Sequence, residues 1–330
     1  MAVPLPFRGA KAYEKGMSPP LLRIGTRGSK LALRQAAELC ERLGKAHPEL
    51  AAPGAVETVV IRTSGDRITD RPLADIGGKG LFTKELEEAL ADRRIDLAVH
   101  SLKDMPTLLP EGLTLACYLP REDARDALIA PGARALADLP PGASVGTSSL
   151  RRQAQLLHAR PDLTIVPLRG NVDTRLAKIA SGAAAATVLA LAGLKRLGRD
   201  SEASAILSPD LMLPAPAQGV IAVEIRADDE RTRSLLAAID HRPTAFCAIA
   251  ERALLETLDG SCRTPIAALA VLDGNRIALD ALVVSPDGKV CHRLNRSTTT
   301  SRARELGRET GEALRALAGP RFFDFVKSPA

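Results

Sequence analysis

The chain of 330 residues contains no tryptophan, two tyrosines and six phenylalanines, so aromatic side chains make up only 2% of it. Base stacking needs aromatic platforms, and so few rings argue against a nucleic-acid binder in spite of a net charge of +6. The core of such a chain must be built mainly from Ala, Leu, Val and Ile. Its five cysteines, Cys40, Cys117, Cys247, Cys262 and Cys291, are odd in number and widely spaced, and no CxxC occurs. The five histidines are scattered. Neither a disulfide framework nor a metal site is indicated, and a reduced, cytoplasmic setting is expected. No apolar run approaches the ~18 residues that span a membrane, and the phosphate-loop pattern GxxxxGK[ST] is missing. Met1 to Pro20 lacks the apolar segment of a secretory signal. It reads as a disordered extension, with an organelle-targeting segment as the alternative.

Arginine at the ends of strands is what the sequence has in quantity. Val145 ends an apolar run, Gly146 opens a tight turn, and Thr147, Ser148 and Ser149 supply hydroxyls where a helix begins. Arg151 and Arg152 follow at the same helix end, whose unpaired N–H groups favour an anion. The next strand, Leu163 to Leu168, delivers Arg169, and the helix after it brings Arg175. Arg27 and Ser29 repeat the pattern after the first strand, Leu21 to Ile24. Guanidinium forks bind carboxylate or phosphate at two points. A small polyanion suits this set, while a solvated basic surface is the plainer reading.

Three further places carry chemistry. His100 to Pro106 follows a short buried strand, where ligands of open α/β sheets bind; there Lys103 and Asp104 read either as a surface ion pair or as a cleft cation and an acid or base. Gly77 to Gly80 reads as a lid, followed by Lys84 at a helix start, either a solvated charge or a functional lysine. Cys262 sits in a loop beside Arg263, which favours its thiolate. It is either incidental or a nucleophile and attachment point. Cys40, Cys117 and Cys247 read as core.

Alternating strands and helices predict two doubly wound α/β lobes with parallel sheets. The connectors at Pro120 to Asp126 and Leu213 to Gly219 predict a chain that passes between them twice. One lobe takes residues 21–120 plus 217–240, the other residues 125–213. From Arg242 the grammar changes to three strand-like runs flanked by helices, a smaller α+β domain over residues 242–330.

Several segments together resemble the porphobilinogen deaminase (hydroxymethylbilane synthase) family over roughly Leu21 to Leu317. They are Ile24 to Leu33, Gly77 to Phe82, Ala98 to Pro106, Arg121 to Asp126, Gly146 to Gln153, Leu168 to Asn171, Ala192 to Leu197 and Glu251 to Ala253, with Cys262 and Pro265 beyond. The resemblance implies periplasmic-binding-protein-like lobes and a cytosolic, monomeric enzyme of tetrapyrrole synthesis that joins four porphobilinogen molecules and releases four ammonia. It implies a covalent dipyrromethane cofactor on a thioether at Cys262, and a catalytic carboxylate at Asp104 that stabilises a cationic azafulvene. The family's positions for the acetate and propionate arms of cofactor and substrate fall on Arg27, Ser29, Thr147, Ser149, Arg151, Arg152, Arg169, Arg175 and Arg196. Lys84, Lys103 and Gln218 match positions lining the same cleft. Ser261 and Arg263 depart from the family's usual Gly before and Gln after the cysteine. The rival reading is a non-catalytic two-lobed anion-binding protein, which would need the arginines but neither Cys262 nor Asp104.

Overall fold

The computed structural model describes residues 20–67, 80–258, 264–320 and 322. The extension at residues 1–20 (Pro20 excepted), Gly77 to Lys79 of the expected lid, and Ser261, Cys262 and Arg263 lie outside the described residues.

The first lobe opens with β1 (Leu22–Arg27), α1 (Lys30–Ala46), β2 (Val56–Ile61), α2 (Ser64–Arg67), α3 (Lys84–Ala91), β3 (Leu97–Ser101) and β4 (Leu113–Tyr118). Ser29 caps α1, its hydroxyl accepting from the Ala32 N–H at 3.2 Å. One face of that helix buries Ala36, Leu39 and Leu43 against Leu22 and Ile24 of β1 and Leu97 of β3. The second lobe follows, with β5 (Asp126–Ile129), β6 (Ser144–Gly146), α4 (Leu150–Ala159), β7 (Thr164–Val166), α5 (Val172–Ala180), β8 (Ala186–Ala190), α6 (Leu191–Arg196) and β9 (Ala205–Ile206). The chain then returns to the first lobe through β10 (Ile221–Arg226) and α7 (Glu230–Ala237).

The sheets are ordered β2-β1-β3-β10-β4 and β7-β6-β8-β5-β9. Both depart from the expected all-parallel pairing at the same place. β10 runs antiparallel to β3 and β4, and β5 runs antiparallel to β8 and β9. These are the two strands that the chain enters directly from the opposite lobe. Neither is reached by a helical crossover within its own sheet, so the right-handed parallel rule does not bind them.

The third domain packs α8 (Arg242–Thr257) and α9 (Ala303–Ala318) on a meander of β11 (Ile266–Asp273), β12 (Arg276–Val284) and β13 (Cys291–Thr299). The two helices pack closely at Gly307, where a Cβ would lie 2.1 Å from the Ala250 carbonyl oxygen. Glu251 on α8 is fully buried. Its carboxylate accepts from Arg121 of the first crossing at 2.6 Å, from the Ala217 N–H of the second at 2.5 Å and from the Ala270 N–H of β11 at 2.7 Å. One carboxylate thus fastens both interlobe crossings to the third domain. At the second crossing Gly219 has φ +89°, and a Cβ there would meet the Glu122 carbonyl oxygen at 2.3 Å, so only glycine lets the strands of chain pass.

Candidate active site

A cleft of about 650 Å³ opens between the two lobes. Four kinds of strand end feed it. Arg27 and Ser29 come from the turn between β1 and α1, Lys103 and Asp104 from the turn after β3, Arg152 from the start of α4, and Arg169 and Arg175 from the loop after β7 and from α5. Arg196 reaches it from the end of α6. All eight of these sequence-predicted residues line the cleft. Thr147, Ser149, Arg151, Gln218 and Lys84 do not.

The five that stand back divide into support and surface. Ser149 caps α4 by accepting from the Arg152 N–H, and the buried Thr147 hydroxyl accepts from the Ser149 N–H at 3.1 Å. These hydroxyls shape the helix start that aims Arg152. Arg151 turns inward instead, donating to the Leu213 carbonyl and to Asp126, both at 2.7 Å. Lys84 is exposed and pairs loosely with Glu88 at 3.9 Å, a solvated charge. Gln218 is a buried bridge: its amide NH2 donates to Asp126 at 2.9 Å, and its carbonyl accepts from Lys103 at 3.5 Å.

Asp126 is the functional residue that sequence reasoning passed over. It is fully buried at the start of β5, with Arg151 on one oxygen and Arg152 at 2.8 Å on the other. Burial alone pushes its carboxyl up, but the two guanidinium charges outweigh this and hold it well below the usual carboxylate range. The available signal was an acidic residue opening an apolar strand, which has to find cations if it is buried. Phe82 was missed too; its ring lies 4.1 Å beneath the Arg27 guanidinium, a cation–π contact that fixes Arg27.

The electrostatics of the cleft are one-sided. Eight cationic side chains line it against two carboxylates, Asp104 and Asp173. Asp173 is taken up by Lys30 at 2.7 Å and Arg199 at 2.9 Å, which leaves Asp104 as the carboxylate facing the cleft. Burial pushes the Lys103 ammonium down from its ordinary value, Asp104 opposing the shift. Burial foremost, with the like charge of Arg152 adding to it, pushes Arg175 down to about 10. The buried Nε of Arg152 has no hydrogen-bond partner among the described residues. Cations held under this strain favour a ligand carrying several anionic groups.

No cysteine among the described residues is prepared as a nucleophile. Burial pushes the Cys117 thiol up to about 12 and that of Cys247 to about 11, and it raises Cys40 and Cys291 as well. Among the described residues no cluster of His, Cys, Asp or Glu could hold a metal ion, and no helix is long and apolar enough to cross a membrane.

The family model described as porphobilinogen deaminase, dipyromethane cofactor binding domain, matches residues 22–234, and that described as porphobilinogen deaminase, C-terminal domain, matches residues 245–316. The chain is similar to porphobilinogen deaminase of Paracoccus denitrificans (strain Pd 1222), 55% identical over 304 residues that cover 92% of this chain and 96% of the relative. It is also similar to the chloroplastic porphobilinogen deaminase of Oryza sativa subsp. japonica, 51% identical over 328 residues that cover 98% and 91%. Among solved structures, a nutrient binding protein from Burkholderia cenocepacia bound to methionine aligns with a TM-score of 0.40 at 14% identity, over 66% of this chain and 90% of that one. With both family domains present in order and an arginine-walled cleft that holds Asp104, the chain belongs to the porphobilinogen deaminase family.

Proposed function

We propose that Asp104 is the catalytic carboxylate of this enzyme and that Cys262 is the attachment point of its cofactor. The enzyme is a hydroxymethylbilane synthase, a transferase of tetrapyrrole (porphyrin and haem) biosynthesis. It condenses four porphobilinogen molecules head to tail with loss of ammonia and frees the linear tetrapyrrole. The observation that carries the reading of Asp104 is its place at the end of β3, a carboxylate among cations with no side-chain hydrogen bond or ion pair among the described residues.

The residues present fit a dipyrromethane, whose two rings bear four carboxylates and two N–H donors. The cleft volume lies within the range of small-molecule sites. The orphaned Arg152 Nε and the depressed Arg175 both improve on meeting a carboxylate. When bound, the dipyrromethane supplies a pyrrole carbon nucleophilic enough to start the chain. Arg152, Arg169 and Arg175 would hold its acidic arms with Lys103, whose ammonium Gln218 keeps in place. Arg27, Ser29 and Arg196 would receive the arms of incoming porphobilinogen. Arg196 is already oriented by Glu38 at 3.3 Å and by the Gly219 carbonyl at 3.0 Å. Asp104 accepts from pyrrole N–H groups and faces the positive charge that develops on porphobilinogen as ammonia leaves, an electrostatic stabilisation in a site built before the charge appears. The four described cysteines are free thiols, in keeping with a reducing cytosol, and we take the enzyme to act as a monomer.

Purified protein given porphobilinogen is expected to release one ammonia for each molecule consumed and to yield one linear tetrapyrrole for every four. Tight binding of porphobilinogen with no ammonia release would overturn the catalytic reading.

A further inference from the structure

Behind the cleft, β3 carries a second group able to take a proton. His100 is buried on the sheet face that α3 covers, and its Nε2 lies 3.0 Å from Oε2 of Glu224 on β10. Glu224 is fully buried, and its other oxygen has no hydrogen-bond partner among the described residues. The same holds for Oε1 of Glu87 on α3. Burial pushes the Glu87 carboxyl up, the Thr83 hydroxyl and His100 opposing the shift and the charge of Glu224 adding to it. Apolar side chains of similar volume would pack in such a place at less cost. An imidazole between two carboxylates therefore asks for a reason beyond stability.

A small cavity of about 20 Å³ gives one. Its wall includes both His100 and Asp104. Thr83 also lines it, its buried hydroxyl lying beside the Glu87 carboxylate. The space suffices for one water, and these groups give that water partners.

We infer that His100 and Glu224 form the buried end of a proton path from Asp104, completed by a water in this cavity. The inference rests on Asp104 being the catalytic carboxylate. In each coupling the C–N bond of one porphobilinogen breaks and ammonia leaves with the electron pair. A C–C bond then forms, in every coupling after the first, to the free α-carbon of the preceding substrate ring. That carbon gives up its hydrogen as a proton, and the C–H electron pair returns to the pyrrole. The proton passes to the Asp104 carboxylate and through the water to the His100 imidazole, whose positive charge Glu224 balances, and it returns by the same water to the cleft, where solvent takes it. The charged groups around the pair are Arg226 beside Glu224 on β10, Glu87 on α3, Arg27 at the end of β1 and Arg252 on α8.

His100 acts through Asp104, as a positioning residue, and the test separates this from packing. In cofactor-loaded His100→Gln, verified by intact mass, turnover is expected to fall about 100-fold. Porphobilinogen deuterated at its free α-carbon should then show a larger isotope effect on kcat than with the parent enzyme, because proton removal has become slow. Thr83→Val removes the hydroxyl from the cavity wall without touching the imidazole, and should enlarge the isotope effect in the same direction by a smaller factor. A loaded His100→Gln enzyme with the parent's isotope effect and pH–rate profile, slow or not, would overturn the path. So would an unchanged isotope effect in Thr83→Val, which decides the matter if His100→Gln does not fold. Failure of the parent enzyme to release ammonia would sink the functional reading instead.

Discussion

Asp104→Asn is expected to yield a folded protein that still carries its two-ring cofactor and turns over about 100–1,000-fold more slowly. Asparagine keeps the size and one acceptor oxygen but removes the negative charge. In most sites that would be a modest change. Here Asp104 is the carboxylate left facing eight cationic side chains, the other being paired with Lys30 and Arg199. Without it, a cation forming from porphobilinogen loses the protein carboxylate that faces it. The same substitution removes the one neighbour that most strongly supports the protonated state of Lys103, so that ammonium should be depressed further. A steady-state rate within a few-fold of the parent, on protein shown by mass to be loaded, would contradict the role.

Asp126→Ala is expected to destabilise the protein by about 3–5 kcal/mol, because it leaves Arg151 and part of Arg152 buried without a counter-charge. Urea unfolding measures this directly. The pH dependence follows with a definite sign. The Asp126 carboxyl is held below its unfolded value, near 3.9 for a free aspartate. Its contribution is therefore fully present above about pH 4 and is lost as pH falls through the lower folded value. The parent should lose stability steeply on that acid side, and the variant should lose less. Equal acid sensitivity in the two proteins would show that Asp126 does not carry the charge balance of the second lobe. Cofactor loading should suffer as well, since Asp126 positions both Arg152 and, through Gln218, Lys103.

Much of this site could be read along the chain because its parts are local. A strand, a turn, a hydroxyl cap and an arginine recur, and the caps at Ser29 and Ser149 stand where that pattern put them. The adjacent Lys103 and Asp104 both reach the cleft for the same reason, being carried by one turn after one strand. What the sequence concealed depends on contacts between distant segments. Nothing in their apolar runs distinguishes β5 and β10, which are reversed, from the parallel strands beside them. Arg151 and Arg152 are neighbours that look alike in the sequence pattern, yet Asp126, 25 residues before Arg151 in the chain, turns the first into structure and leaves the second at the cleft. The two-residue strand β9 and the four-residue helix α2 are too short for any periodicity to appear.

The central claim is that one chain carries a covalent primer at Cys262 and builds on it in this cleft. Intact mass spectrometry of the purified protein and of Cys262→Ser tests it most directly. The expected result is an excess of two linked pyrrole units in the parent, absent from the variant even after incubation with porphobilinogen. A bare polypeptide mass in the parent after the same incubation, or the excess persisting in the variant, would contradict the account.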